Sequence, residues 1–346
     1  MEWIQEVFAR RSELLRLHNL FVMGRVLIMD RMSKIFIAGH TGQIGYGLLQ
    51  RLHSDGYNNV IVRKHKDLDL LNQESVRLFF EEEHPEYVFY CAGSLGAVDY
   101  LENNRATVVY NNIIMQANVI HFAVTHHVKK LLYVGSGSVY GNHTSSPFLE
   151  TEAIDSIQRG GMEAYAVAKI AGLELCKQYH GIGGSKCISV LPTHVYGTKN
   201  ITRIKNTLIE EILQQMHQAK IEGTKELGLD IWGTGKKCIR QFIYLDDLAD
   251  ALIYMMKNYD DVLPVNIAPE EAVSLDELSY TIRDVVGYTG SLHYQEDKPE
   301  KADDRLMSVK YLQEQGWKPR YTLREGIQAF YKWYLDEIQE KGKQMS

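Results

Sequence analysis

From Lys34 to Leu191 the chain alternates short β-branched apolar runs with longer stretches whose apolar residues recur every three or four positions, and that rhythm admits few folds. Apolar runs of this kind belong to strands covered on both faces, so the pattern predicts a parallel sheet with helices packed above and below it. The strands are expected at Lys34–Ala38, Asn59–Arg63, Tyr87–Cys91, Lys130–Gly135 and Cys187–Leu191. The helices are expected at Gln43–His53, Gln73–Glu82, Asn104–Thr125 and Glu163–Tyr179. Right-handed crossovers make this an α/β, doubly wound sheet.

Directly after the first strand stands Gly39-His40-Thr41-Gly42-Gln43-Ile44-Gly45, leading into a helix. Glycines at this spacing allow a tight turn, close backbone approach to a pyrophosphate, and a helix N-terminus facing its charge. A plain strand-to-helix turn is the bland alternative, but strand, loop and helix occur in the order a Rossmann dinucleotide site requires. Beyond the second strand the chain reads Arg63-Lys64-His65-Lys66 where an NAD site usually offers a carboxylate. Cations there suit a 2′-phosphate; a solvated basic loop would look the same, so NADP(H) is favoured only slightly over NAD(H). Asp69 and Leu70 are expected at the adenine edge, and Cys91, Ala92 and Gly93 beside the dinucleotide.

Tyr165 and Lys169 lie four apart on a predicted helix and therefore share a face. A neighbouring ammonium lowers the pKa of a phenol and equips it for proton exchange with a substrate oxygen. Alone, the pair could equally be a packing tyrosine and a solvated lysine. Ser136, in Gly135-Ser136-Gly137-Ser138-Val139-Tyr140 at a strand's C-terminal end, strengthens the catalytic reading, because strand ends line the ligand crevice and its hydroxyl would orient the reacting oxygen.

The glycine pattern with Ser136, Tyr165 and Lys169 resembles the extended short-chain dehydrogenase/reductases. Longer stretches sharpen the likeness to the GDP-L-fucose synthase family: Glu163–Cys176, Val190–Gly197, Ile231–Gly235 and Arg240–Asp247, with Gly287-Tyr288 and Gly316-Trp317. The resemblance, which runs from about Ser33 to Asp336, implies a GDP-sugar substrate, hydride transfer at C4, and cofactor contacts that take in Thr41, Pro192 and His194. It implies that Trp232 and Arg240 help hold the nucleotide diphosphate, that Arg305 serves the sugar or phosphate region, and that Ser138 borders the substrate. A homodimer through a four-helix interface of Asn104–Thr125 and Glu163–Tyr179 is implied too, as is a role in cell-surface polysaccharide synthesis. The chain departs from the family where a cysteine and a histidine move protons during epimerisation at C3 and C5. Ser138 stands for the cysteine and Thr207 or a neighbour for the histidine, and a serine hydroxyl is too weak an acid to replace a thiol. His194 or His143 would be the compensating groups. Thr41 stands for an arginine near the 2′-phosphate, and Gln214 and Gln215 for arginine near the nucleotide.

The expected activity is therefore reduction of a GDP-4-keto-6-deoxy-hexose or -heptose without epimerisation. The alternatives are the same site run oxidatively as a GDP-sugar 4-dehydrogenase, or another nucleotide-sugar epimerase or dehydratase. A regulatory dinucleotide sensor would have no need of Tyr165 and Lys169.

After about Gly197 the rhythm changes to a helix at Lys205–Gln218, a strand with Ile231 and Trp232, a segment Phe242–Leu245 and a closing helix Leu323–Ile338. Residues 32–197 are thus expected to bind the dinucleotide. Residues 198–346 form mainly a smaller C-terminal substrate-binding lobe, interleaved with the last strands of the sheet. Residues 1–31 read as a short amphipathic helix or an upstream translation start. A net charge of −6 argues against a nucleic acid partner. Leu20–Met29, interrupted by Gly24 and Arg25, is too short to span a membrane, so no membrane partner is expected. Cys91, Cys176, Cys187 and Cys238 lack C-x-x-C spacing, which indicates no metal site and a reducing, cytoplasmic compartment.

Overall fold

The computed structural model describes residues 29–94, 104–141, 146–155, 164–197, 207–299 and 304–344. The expected amphipathic helix within 1–31, and His143, lie outside these residues save for the last three positions of that segment. In chain order the first part comprises β1 (Ile35–Ala38), α1 (Gln43–Ser54), β2 (Val60–Ile61), α2 (Gln73–Glu83), β3 (Tyr87–Tyr90), α3 (Arg105–Thr125), β4 (Lys130–Val134), α4 (Glu152–Asp155), α5 (Ala164–Tyr179) and β5 (Lys186–Pro192). Then come β6 (His194–Tyr196), α6 (Leu208–Glu222), β7 (Glu226–Trp232), β8 (Ile239–Arg240), β9 (Phe242–Tyr244), α7 (Leu245–Asn258), β10 (Val265–Ile267), β11 (Val273–Ser274), α8 (Leu275–Val286), β12 (Ser291–Gln295), α9 (Lys310–Glu314) and α10 (Leu323–Gln344).

Six parallel strands form the central sheet in the order β10-β5-β4-β3-β1-β2. Strand order reverses between β1 and β3, which opens a crevice at their C-terminal ends. Alternation along each strand feeds two cores. Phe36, Val88, Tyr90, Leu131 and Tyr133 join the layer packed against α2, α3 and α5. Ile35, Ile37, Phe89, Leu132 and Val134 join the layer beneath α1 and α7. A third core joins α6, α8 and α10 in the second half of the chain.

Several boundaries differ from expectation, such as the closing helix, which runs to Gln344 and not Ile338; two of the differences have identifiable reasons. β2 is cut to Val60–Ile61, because an edge strand has a single partner, β1, and Arg63 swings out to α2. The helix expected at Lys205–Gln218 runs from Leu208 to Glu222. Its start is fixed by the Glu210 carboxylate, which accepts the Thr207 backbone N–H (2.8 Å), and its end by Gly223 in the left-handed region (φ 70°). Among the described residues no helix is long and apolar enough to cross a membrane.

Candidate active site

The glycine turn folds tightly onto itself. Gly39 has φ 89°, and a Cβ there would lie 2.6 Å from the backbone N and Cα of Ala92. The Gly42 N–H donates to Gly39 O (3.0 Å), and a Cβ on Gly45 would lie 2.3 Å from that same carbonyl oxygen. These contacts draw the first turn of α1 close to the ends of β1 and β3, and the first N–H groups of a helix, which have no intrahelical partner, make such a turn a fit cradle for an anion. Thr41 is exposed, and Ile44 packs in part against the lower core. The Gln43 amide turns away toward Gly197 O (3.5 Å) and Glu210 Oε1 (3.2 Å), leaving its backbone N–H as its contribution to the turn.

His40 Nδ1 is buried without a partner, and burial, followed by the charge of Lys64, lowers its pKa. A buried ring nitrogen beside a lysine at the mouth of a glycine cradle fits an anionic dinucleotide. Arg63, expected at the 2′-phosphate, is instead ion-paired with Glu83 and lies 5.9 Å from the Phe79 ring centroid, because α2 supplies the nearest counter-charge. Asp69 Oδ1 accepts the Leu71 N–H (3.0 Å) and Leu70 O accepts Asn118 Nδ2 (2.9 Å), so both fasten the turn after β2.

At the end of β3, the Cys91 N–H donates to Ala38 O (2.9 Å). Gly93 then leaves open the space beside Tyr165: a Cβ there would stand 3.8 Å from Tyr165 Oη and 3.6 Å from Asn112 Oδ1. Asn112 went unnoticed in the sequence. Its side chain accepts the Ser94 N–H (2.9 Å) and donates to Ser94 O (3.0 Å) and Val108 O (2.8 Å), fixing the loop that carries Gly93. The signal was a polar residue at helical spacing between Val108 and Gln116, on the buried face of α3.

Lys169 is not solvated. It is buried, and its Nζ donates to Val134 O (2.8 Å) and lies 5.6 Å from the Tyr165 ring centroid. Burial pulls the Lys169 ammonium down to about 8 and pushes the Tyr165 phenol up. The lowered phenol expected from the neighbouring ammonium is therefore not found: burial dominates, and Tyr165 is a neutral phenol with a proton to give.

Ser136 follows β4, and its Oγ accepts from the Ser138 N–H (3.2 Å) and from Ser138 Oγ (3.0 Å). Ser136 and Ser138 share a cavity of about 290 Å³ with Pro192, His194, Arg305 and Met307, which brings together five residues singled out in the sequence. Met307 and Phe148, another lining residue, were missed. They arrive through isolated bridges, Phe148 to Met307 and Arg240 to Arg305, too short to leave a pattern. Gln241 holds this clamp, accepting the Met307 N–H (2.7 Å) and donating to Pro269 O (2.8 Å). Arg240 sits beside Arg305 through that bridge but does not line the cavity. Trp232, at the end of β7, is 43% exposed under Lys298 Nζ (4.8 Å to the ring centroid) and does not line it either. Thr207 caps α6, the helix that carries Gln214 and Gln215. No cluster of metal-ligating side chains occurs among the described residues.

The profile of the NAD dependent epimerase/dehydratase family matches residues 35–268. GDP-L-fucose synthase 1 of Arabidopsis thaliana is 34% identical over 310 residues, covering 89% of this chain and 95% of its own. Among solved structures, a GDP-mannoheptose C4 reductase from Campylobacter jejuni with NADP bound aligns with TM-score 0.79 at 34% identity, over 88% of this chain and 99% of that one. A GDP-6-OMe-4-keto-L-xylo-heptose reductase of the same organism aligns with TM-score 0.80 at 32% identity, over 90% and 99%.

Proposed function

The chain belongs to the NAD dependent epimerase/dehydratase family, and from that premise we propose that it is an NADP(H)-dependent C4 reductase of a GDP-linked 4-keto sugar, a 6-deoxyhexose or a heptose. The carrying observation is that Tyr165 Oη lies beside Gly93 at the end of β3 while Ser136 lines a cavity at the neighbouring strand end. The relatives' substrates support the GDP-sugar, and the NADP in the C4 reductase supports the cofactor.

When bound, the reduced nicotinamide supplies the hydride. Ser136 orients the C4 oxygen: with Ser138 Oγ donating to it, its own proton is left to point at the substrate. Tyr165 delivers the proton that completes the alcohol. Lys169 holds the cofactor ribose and stabilises the phenolate left behind. Burial keeps the Tyr165 phenol protonated, the form that reduction consumes. His40, Lys64 and the first-turn N–H groups of α1 bind the phosphates, with Arg63 joining if it exchanges Glu83 for the 2′-phosphate. Arg305 grips the sugar diphosphate, with Arg240 and Trp232 at its nucleotide end. With Ser138, and Thr207 or a neighbour, where the fucose synthases carry their proton-moving pair, the product keeps its C3 and C5 configuration.

The same reading assigns 32–197 to the dinucleotide and 198–346 chiefly to the substrate. It pairs two copies through α3 and α5, whose Tyr110 and Val167 are 63% and 41% exposed, and sets the reaction in the cytoplasm. The test is incubation with GDP-4-keto-6-deoxymannose or its heptose counterpart and NADPH in deuterated water, read by NMR. A C4 alcohol without deuterium at C3 or C5 is the expected product; solvent deuterium at either carbon overturns the claim about epimerisation, and absence of any reduction overturns the activity.

A further inference from the structure

A buried ammonium ordinarily needs a carboxylate, because desolvation of an unpaired charge is expensive. Among the described residues none lies within ion-pairing distance of Lys169. Its Nζ has Val134 O at 2.8 Å and three tyrosine rings around it, with centroids at 4.8 Å for Tyr133, 5.6 Å for Tyr165 and 5.8 Å for Tyr90. The titratable groups that face it are these three phenols and the thiols of Cys91 and Cys176, all of which burial keeps neutral.

The box is built from both sides. Tyr90 and Tyr133 are register partners on β3 and β4, stacked with centroids 5.4 Å apart and planes 16° apart. Tyr133 Oη donates to Gln116 Oε1 (2.8 Å), and Gln116 Nε2 donates to Ala168 O (2.7 Å), the residue before Lys169. Gly172 makes room for that contact, since a Cβ there would meet Tyr133 Oη at 2.3 Å. The ring closest to the ammonium is therefore clamped to the backbone of the helix that carries it.

We propose that Tyr133, backed by Tyr90, is a positioning residue that stands in for the missing counter-ion: its π face keeps Lys169 charged in the interior and aims it between Val134 O and Tyr165. A ring face attracts a desolvated cation strongly enough to matter for its protonation. The consequence for turnover rests on the reductase reading; the effect on Lys169 itself does not.

The test titrates the Lys169 ε-carbon by NMR in the full-length protein grown on ε-¹³C-lysine, the signal being assigned by its loss in Lys169→Arg, and compares it with the pH dependence of kcat/KM. Tyr133→Leu, which removes the ring, should lower the Lys169 midpoint by about one pH unit, tenfold in proton affinity. It should draw the alkaline limb of the rate profile down by the same amount. Tyr133→Phe keeps the ring and should leave the midpoint within a few tenths of a unit of the wild type. If Tyr133→Leu does not fold, Tyr90→Leu should lower the midpoint by about half as much. An unmoved midpoint in a folded ring-removing variant, or a Phe variant that shifts as far as the Leu variant, overturns the proposal. A protein that reduces no keto-sugar, yet shows the expected shifts, overturns the reductase reading alone.

Discussion

Gly45 and Gly47 are both buried in the first turns of α1, yet a methyl group added at each meets neighbours of opposite kind. At Gly45 it would stand 2.3 Å from Gly39 O, 2.8 Å from Gly39 C and 2.9 Å from His40 Cα, all of them in the anion-binding turn. At Gly47 it would stand 2.5 Å from Leu245 Cγ and 2.8 Å from each of its methyls, a core side chain on α7 and no part of the turn. Overpacking costs about 1–3 kcal/mol, of which alanine's better helix propensity returns about 1 kcal/mol. Gly45→Ala should therefore unfold at most about 2 kcal/mol more easily, because the turn yields instead. A turn displaced by several tenths of an ångström spoils one N–H contact to phosphate, worth about 1.5–3 kcal/mol, so NADPH should bind roughly 10- to 100-fold more weakly. Gly47→Ala should lose a similar amount of stability, at most about 2 kcal/mol, and keep its NADPH affinity within about twofold. Urea unfolding and the enhancement of NADPH fluorescence measure the two quantities separately. Wild-type NADPH affinity in Gly45→Ala, or an equal loss in both variants, would refute the reasoning.

Replacing Tyr165 with phenylalanine removes the proton donor and should cut kcat by at least about 10²-fold, with NADPH binding little changed by fluorescence titration. Arg305→Ala should raise KM for the GDP-sugar by about tenfold or more and leave kcat nearly intact, since a charge-assisted contact in the cavity is lost while the proton path stays whole. Lys130 and Lys169 are each held at about 8 in the folded protein against 10.5 in the unfolded chain, both by burial first. Above pH 8 the unfolded state therefore binds more protons, and stability should rise by up to about 1 kcal/mol per group and pH unit. Near pH 9 the gain should stop, because Cys91 and Cys187, pushed up to about 12, begin to hold protons that the unfolded chain releases. Denaturant midpoints that fall steadily from pH 8 to pH 9 would contradict this sign.

The sheet was legible because β1, β3, β4 and β5 are buried on both faces and write that burial as continuous apolar runs. β10 was not specified, since Val265–Ile267 is three residues long and its middle member is an asparagine whose amide bonds to Phe148 O and Ser308 O. Tyr165, Lys169 and Ser136 could be read from spacing because one helix and one strand end carry them. The other wall of the cavity could not. Met307 and Phe148 stand far apart in the chain, and what joins them is a backbone bridge that imposes no residue type. Arg63 shows the converse limit: the sequence announced a cation near the cofactor, but only the placement of α2 reveals that Glu83 has claimed it.

That β10 completes the sheet and α7 roofs its lower face binds the two halves of the chain into one object. Asp247 and Asp250 on α7 tie down Arg320, Tyr321 and Trp317 from still further along. A break near residue 197 would strip the amino-terminal fragment of an outer strand and of much of one hydrophobic layer, so it should not fold by itself. Specificity in such an architecture is hard to transplant as a cassette. New sugars are more readily reached by exchanging single side chains at the crossing points, Met307 and Phe148 first among them.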